Sequence, residues 1–344
     1  MEKAIAGMKE SGNSLSNEKP FRKSWIDFLR GLAMLLVIWG HIAKTERMFY
    51  VFTGPFKMPL FFAVTGYVFN DVGGNWRKFL KNLWLKIIIP WIVLSLIWIK
   101  PIYAVITRHP EKIPVYFYDF VSGKVLWFMP CIVMAECIYF CIRKYITSRR
   151  IQYIALALVS VLGIVMSNIG IGRFAMIDVA CISQAFILFG YWFKNNEATI
   201  RVKIGNSKLL LLISAYIALV FMSMIVFPGE SIDVHNNRYY SYFLCGIMIF
   251  ISLLTLFVAA PKIARYRNKL IGWIVFVGQN TLVFYIMHYD ARFVIRKILQ
   301  KTNLPFDSLL EYFVAFVFIC LTMTIASLII NTWLPSAAGR KSNA

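Results

Sequence analysis

The chain has 344 residues, of which 59% are apolar, 16% aromatic and only 15% charged, and its mean hydropathy is +0.66. Soluble domains contain about 45–50% apolar and about 25% charged residues, so this composition excludes an ordinary soluble enzyme and a disordered chain. The 37 Lys and Arg residues outnumber the 16 Asp and Glu residues, for a formal charge of +21. These basic residues cluster between apolar stretches, which is typical of charge that sets membrane topology and argues against nucleic-acid binding. The sequence therefore predicts an all-α polytopic membrane protein.

The apolar stretches predict a bundle of about ten transmembrane helices, because a helix needs about 20 mostly apolar residues to cross a bilayer. The candidate spans are residues 25–43, 49–69, 82–103, 125–142, 152–169, 175–193, 208–227, 240–260, 271–289 and 311–331. Residues 1–24 predict an N-terminal tail, 25–333 a single integral membrane domain, and 334–344 a C-terminal tail.

The distribution of Lys and Arg predicts which ends of the spans face the cytoplasm. With a cytoplasmic N-terminus, 23 basic residues fall in inward segments and twelve in outward ones, so both tails are expected in the cytoplasm. One outward group departs from this pattern, namely Arg292, Arg296, Lys297 and Lys301. A short amphipathic stretch on the outer surface would account for it.

Charged and titratable groups at membrane depth cost a few kcal/mol each, which makes those of the first span candidates for a functional site. Arg30 and His41 are eleven residues apart, so they point to the same side of the helix, roughly 16 Å apart along its axis. Asp27 lies one turn before Arg30 and can pair with it. The alternative is an interfacial Asp27–Arg30 pair with His41 as a helix cap. Gly31 and Gly40, which allow a helix or ligand to approach closely, favour function.

Four further polar or aromatic residues of the spans have two interpretations each. Lys57, beside Pro59 in the second span, is either a snorkelling lysine or a charge that lines a cavity. Glu136 is either protonated and hydrogen-bonded or paired inside the bundle. Trp127 is an aromatic of the membrane interface or a platform for a sugar, and His288 an interfacial or an active-site histidine. The six cysteines are predicted to be small buried side chains, and no metal site is predicted.

Six segments follow one another in an order that is typical of one family. They are Ile26 to His41, Phe56 to Tyr67, Lys86 to Pro90, Leu126 to Pro130, Phe186 to Tyr191 and Gly278 to His288. The set resembles the acyltransferase-3 family of integral membrane O-acyltransferases. The chain departs from the family pattern twice. Lys57 stands where many members have a histidine before Met-Pro, and Leu83 and Lys86 stand where they have two arginines, with Lys81 nearby.

The resemblance implies a bacterial inner-membrane enzyme that moves an acetyl or other acyl group from acetyl-CoA to a hydroxyl of a cell-surface glycan. The implied partners are acyl-CoA, a glycan or lipid-linked saccharide acceptor, and the lipid bilayer. The implied catalytic residues are His41, Arg30 and Asp27. His41 takes the hydroxyl proton or, as an alternative, carries the acyl group itself. The expected contacts to CoA are Arg30, Lys81 and Lys86, and those to the acceptor are Lys57, Trp127, Glu136 and His288.

The main alternative function is a transporter or flippase for a glycan or small anion, in which the intramembrane charges line a pathway. Such transporters often consist of two related halves with helices broken at matching positions, and the sequence shows neither feature. A structural or sensory membrane protein would leave the row of Asp27, Arg30 and His41 unexplained.

Overall fold

A computed structural model of the protein describes residues 23–43, 47–96, 108–266, 268–301 and 308–335. The regular secondary structure of these ranges is helical, apart from an isolated bridge between Asp233 and Arg238. The prediction of an all-α protein is therefore confirmed. Most of both predicted tails and residues 97–103 of the third predicted span lie outside the described ranges.

The helices of the first half of the chain are α1 (Ser24–Ile42), α2 (Arg47–Lys57), α3 (Pro59–Val68), α4 (Trp76–Leu83), α5 (Ile89–Leu96), α6 (Ile113–Val121), α7 (Phe128–Tyr145) and α8 (Arg149–Asn168). Those of the second half are α9 (Ile177–Ile182), α10 (Gln184–Lys203), α11 (Asn206–Val226), α12 (Tyr242–Ile263), α13 (Lys269–Gln279), α14 (Thr281–Leu299) and α15 (Leu309–Trp333). A π-helical turn, Trp84–Ile88, joins α4 to α5.

The helices of the described ranges confirm the polytopic prediction and refine its count of spans. Six elements are long and apolar enough to cross a membrane, namely α1, α2 with α3, α8, α11, α12 and α15. The pairs α9–α10 and α13–α14, bent by 45° and 91°, raise this number to eight if each pair is one span. The fourth predicted span forms α7, which carries three charged residues, Glu136, Arg143 and Lys144.

Two pairs of glycines bring central helices into backbone contact. A Cβ atom on Gly31 of α1 would lie 1.9 Å from the carbonyl oxygen of Ile274 in α13, and one on Gly278 would lie 1.7 Å from that of Asp27. Gly66 of α3 and Gly190 of α10 form an equivalent contact, in which added Cβ atoms would lie 2.0 and 1.8 Å from carbonyl oxygens of the facing helix. In a membrane such small-residue contacts let helices pack by close van der Waals approach.

The remaining long helices surround this centre and present apolar side chains outward. The most apolar windows of α1 and of α2–α3 are 61% and 67% buried inside the protein, whereas those of α8 and α11 are only 22% and 17% buried. Leu211 and Ile225 of α11 are 67% and 79% exposed. Exposed apolar side chains on this scale are stable against lipid and not against water, so α8 and α11 belong to the lipid-facing surface.

The expectation of one continuous helix over residues 271–289 is wrong, because the chain bends by 91° between α13 and α14. The side chain of Asn280 sits at this bend and donates a hydrogen bond to the carbonyl of Phe276 (2.8 Å). Its own oxygen accepts one from Nδ2 of Asn331 in α15 (2.8 Å). These bonds satisfy polar groups at a helix break inside the bundle, and the bend directs α14 along the C-terminal end of α1.

Candidate active site

The site forms at the C-terminal end of α1, where His41 occupies the last helical turn. Its imidazole is half-buried. Gly40, the preceding residue, leaves room for Lys57 of α2, since a Cβ atom on Gly40 would lie only 3.1 Å from the Nζ atom of Lys57. The carbonyl of Gly40 also accepts a hydrogen bond from the hydroxyl of Tyr50. The glycine before His41 therefore allows a second helix to bring a cation and a phenol against the backbone of α1, one residue from His41.

Two aromatic side chains of α14 hold the imidazole of His41 from the other side. The hydroxyl of Tyr289 lies 3.2 Å from each ring nitrogen of His41, so it can bond to either one, according to the tautomer. The ring of His288 stacks on that of His41 with a centroid distance of 5.2 Å and an interplanar angle of 30°. The position and orientation of His41 are thus set by contacts with α14.

His288 is fully buried, and its hydrogen bonds define its tautomer. Its Nδ1 atom lies 3.0 Å from the carbonyl of Phe284 and 2.7 Å from that of Tyr285, so Nδ1 carries the proton and donates it to these carbonyls. Its Nε2 atom has no hydrogen-bond partner among the described residues. His288 supports His41 from inside the bundle and does not line the cavity described below.

Lys57 points into the bundle and not toward the membrane surface. Its Nζ atom lies 5.0 Å from the ring centroid of Tyr50 and 5.7 Å from that of Phe49, within the range of cation–π attraction. The acidic residue that acts on it electrostatically is Asp233. Of the two interpretations of Lys57, a charge that lines a cavity is the one found.

His41 and Lys57 line a cavity of about 1660 Å³. Its walls are the end of α1, α2, Tyr116 of α6, the segment before α7, the segment between α11 and α12, and α14. The basic residues that line it are Lys57, Lys124, Arg292, Arg296 and Lys297, and the acidic ones are Asp233 and Asp290. Three members of the outward basic group, Arg292, Arg296 and Lys297, thus line the cavity; Arg292 and Arg296 are half-buried and Lys297 is exposed. These residues lie on α14, whose bend turns them toward the cavity.

One wall of the cavity is the segment 231–235, to which sequence reasoning assigned no role. The His235 ring lies 5.1 Å from that of Trp127, with an interplanar angle of 30°. The carbonyl of His235 accepts a hydrogen bond from Arg173 (3.0 Å), and Arg173 also donates to the fully buried Asp178 (2.9 Å). Burial lowers the pKa of His235, which lies outside the membrane-spanning helices. Trp127 is thus backed by an anchored loop and forms part of the cavity wall.

The N-terminal end of α1 has a different character. Asp27 is buried, and its carboxylate accepts a hydrogen bond from Nε2 of Gln279 at 3.4 Å. Arg30 is half-buried, whereas Lys81 and Lys86 are exposed. Arg30 and Lys86 both act electrostatically on the half-buried Glu136 of α7.

The structure therefore divides the predicted site residues into two groups. His41, Lys57 and Trp127 line one cavity, and His288 packs against His41. Asp27, Arg30, Lys81, Lys86 and Glu136 do not line it. Val37 is the lining residue of α1 nearest to Arg30, two helical turns away from it.

The sequence analysis missed three polar residues of the site, namely Tyr289, Asp233 and His235, and gave Arg292 and Arg296 no role in it. A signal for α14 was present, because Tyr285, Tyr289, Arg292 and Arg296 follow a spacing of four, three and four residues, which places them on one helix face. The segment 231–235 carries no comparable pattern. In the described part of the chain, no three His, Cys, Asp or Glu residues are grouped so that they could hold a metal ion.

A family model described as an acyltransferase domain, that of the acyltransferase-3 family, matches residues 23–332. The chain belongs to the acyltransferase-3 family. No curated protein and no solved structure matches it. Membership of this acyltransferase family confirms the resemblance drawn from the six segments, and it supports a membrane acyltransferase over the transporter considered above. Every segment that carried the resemblance lies inside the matched range.

Proposed function

We propose that this acyltransferase moves an acetyl or other acyl group from acyl-CoA to a hydroxyl of a cell-surface glycan, and that the transfer takes place beside His41. The observation that carries the proposal is the arrangement of His41, which packs against Tyr289 and His288 and lines a large cavity together with Lys57, whose ammonium group lies against the preceding Gly40. Acyl transfer to a hydroxyl needs a base and a positive group for the oxyanion, and both are present here.

In the proposed reaction, a ring nitrogen of His41 takes the proton of the acceptor hydroxyl while its oxygen attacks the thioester carbonyl. The new C–O bond gives a tetrahedral oxyanion. When this intermediate collapses, the C–S bond breaks, and the CoA sulfur leaves with the proton that His41 had taken. The products are the O-acyl ester and free CoA, and His41 returns to its initial state. No group outside the two substrates and the chain is needed.

The neighbours of His41 have distinct roles in this proposal. The ammonium group of Lys57 stabilises the oxyanion, because a fixed positive charge in a water-poor site favours developing negative charge. Tyr289 and His288 are positioning residues, since they hold the imidazole by a hydrogen bond and by stacking. Trp127 offers its ring to a sugar of the acceptor.

The donor is proposed to bind from the other end of α1. Arg30, Lys81 and Lys86 are the cations for the phosphates of acyl-CoA, and Asp27 helps to set the position of Arg30. In this proposal that end faces the cytoplasm, as do both termini, in keeping with the distribution of Lys and Arg. The distance from Arg30 to His41 along the helix is roughly 16 Å, a length that the extended pantetheine arm covers in large part. Since the cavity reaches along α1 only to Val37, the proposal requires the arm to pass the two turns between Val37 and Arg30.

The test is a transfer assay with purified protein in proteoliposomes, radiolabelled acetyl-CoA and a glycan extract. We expect label to appear in the glycan as a base-labile ester, in an amount that depends on the protein. Transport of glycan or anion without ester formation, or label that stays in CoA and acetate, would contradict the proposal.

A further inference from the structure

The cavity beside His41 carries more positive charge than the transfer reaction requires. Five basic residues line it and only two acidic ones. One of the basic residues, Lys124, forms an ion pair with Asp119, with 3.3 Å between its Nζ atom and a carboxylate oxygen. The carboxylate of Asp233 is bonded to the amide and side chain of Asn236 (3.2 and 2.7 Å). The lining residues of α14 comprise three basic side chains, Arg292, Arg296 and Lys297, and one acidic one, Asp290, so this wall has a net positive formal charge.

Among these basic residues, Arg292 is the one best placed to bind an anion. It is half-buried, lines the cavity, and has no hydrogen bond or ion pair with any described residue. Its guanidinium faces the cavity and is available to an anion that enters it. The neighbouring cation on the same face is Arg296, four residues later, and like charges at this spacing repel each other. An anion bound in the cavity would offset the repulsion between Arg292 and Arg296.

The position of Arg292 relates this anion to the reaction. Arg292 follows Tyr289 by three residues, so it lies about 4.5 Å further along α14 and on the same face. Tyr289 in turn contacts His41. An anionic group held by Arg292 thus lies close to the hydroxyl that His41 deprotonates, on the reacting sugar or on the group attached to it.

We propose that the acceptor carries a phosphate or carboxylate group and that Arg292 binds it; this inference rests on the proposed function. The two anions share the chemistry that a guanidinium recognises, namely planar, bidentate contact with two oxygens. A carboxylate comes from an acidic sugar, and a phosphate comes from the carrier of a lipid-linked saccharide. The phosphates of CoA are assigned to the other end of α1, where Arg30, Lys81 and Lys86 lie.

The test measures binding to purified protein in a neutral detergent, without any transfer. The probes are two matched pairs, farnesyl phosphate with farnesol and trigalacturonate with its methyl ester. We expect at least one anionic probe to bind about tenfold or more tightly than its neutral counterpart, as loss of a charged hydrogen bond predicts. The pair that shows the preference identifies the source of the charge.

The variants assign the preference to one side chain. Arg292→Gln should reduce it to nearly equal binding, while Arg292→Lys should retain part of it. Arg150→Gln, which removes an exposed arginine of α8, should leave it unchanged. Equal or absent binding of all four probes by the wild-type protein, or an unchanged preference in Arg292→Gln, would overturn the inference.

A competition experiment shows whether the anion site at Arg292 binds the acceptor or acyl-CoA. Adenosine 3′,5′-bisphosphate carries phosphates like those of CoA without the pantetheine arm, and it should not displace the anionic probe. Displacement would show that α14 binds the donor, which overturns this inference and leaves acyl transfer standing. Conversely, selective anion binding by a protein that forms no ester would contradict the proposed function alone.

Discussion

The two ends of α1 carry similar kinds of charged side chain in opposite surroundings. At the C-terminal end, the glycine beside His41 admits the side chain of Lys57, and a cavity remains between six segments of the chain. At the N-terminal end, Gly31 and Gly278 close the gap between α1 and α13 down to backbone contact. A glycine can therefore either make space for polar groups or remove all space. The packing around a glycine, and not the glycine itself, decides whether the position borders a cavity or a tight helix–helix contact.

The largest effect is expected at His41. His41→Ala should lower the rate of acyl transfer by about 10²–10⁴-fold, because it removes the proposed general base. The measurement is ester formation in proteoliposomes that contain equal amounts of protein. His109→Ala changes an exposed loop histidine and should retain full activity. Equal activity of the two variants would remove His41 from the mechanism.

The next effect is expected at Lys57. Lys57→Met keeps an unbranched side chain but removes the charge, and it should lower kcat by about a hundredfold through loss of oxyanion stabilisation. KM for acyl-CoA should change little, since the charge acts mainly in the transition state. The matched control is Lys208→Met, at an exposed lysine of α11. A kcat equal to that of the control would show that Lys57 is only a packing residue.

At the opposite end of α1, the glycine contact should govern stability. Gly278→Ala places a Cβ atom 1.7 Å from the carbonyl oxygen of Asp27, so α1 and α13 must separate. Overpacking of this kind costs about 1–3 kcal/mol, which thermal unfolding in detergent can detect. Gly272→Ala on the same helix meets nothing within 4 Å and serves as the control. If both variants unfold at the same temperature, α1 and α13 are not in backbone contact at Gly278.

A substitution of Arg30 tests whether the N-terminal end of α1 also binds acyl-CoA. Arg30→Ala should raise KM for acetyl-CoA about tenfold, as expected for the loss of one charged hydrogen bond, and leave the protein level unchanged. Arg77→Ala, at an exposed arginine of α4, is the control. A large fall in protein level with an unchanged KM would favour the purely structural ion pair of Asp27 and Arg30.

The smallest effect concerns His235 in the cavity wall. Burial lowers its pKa below the usual 6.5 in the folded protein, with Asp233 and Asp178 opposing the shift and Arg173 adding to it. The unfolded chain therefore binds this proton more readily, and the folded state loses stability as the pH falls below about 6.5. His235→Gln should reduce this loss. Unfolding temperatures of both proteins between pH 8 and pH 5 provide the measurement, and parallel curves would contradict the expectation.

The sequence predicted most of the fold, because hydropathy alone identifies long apolar helices such as α8, α11 and α15. It could not predict the bend at Asn280. Asn280 at the bend accepts a hydrogen bond from Asn331, 51 residues later, and the local apolar run has no proline. The direction of α14 follows from the bend, and so does the place of Arg292 in the cavity wall.

The candidate site was predictable where it depends on one helix and not where it depends on tertiary contact. The position of His41 at the end of α1 and the importance of Lys57 both came from local spacing and from the cost of intramembrane charge. The pairing of His41 with Tyr289 joins residues 248 positions apart, and the contact of Trp127 with His235 joins two loops. No local pattern encodes either contact.

The strongest test is an experimental structure of the protein with a non-hydrolysable ketone analogue of acetyl-CoA. We expect the carbonyl of the analogue beside His41 and Lys57 in the cavity, and its nucleotide phosphates beside Arg30 and Lys86, with the pantetheine arm along α1 between them. A carbonyl bound anywhere outside the His41 cavity would contradict the proposed site of transfer.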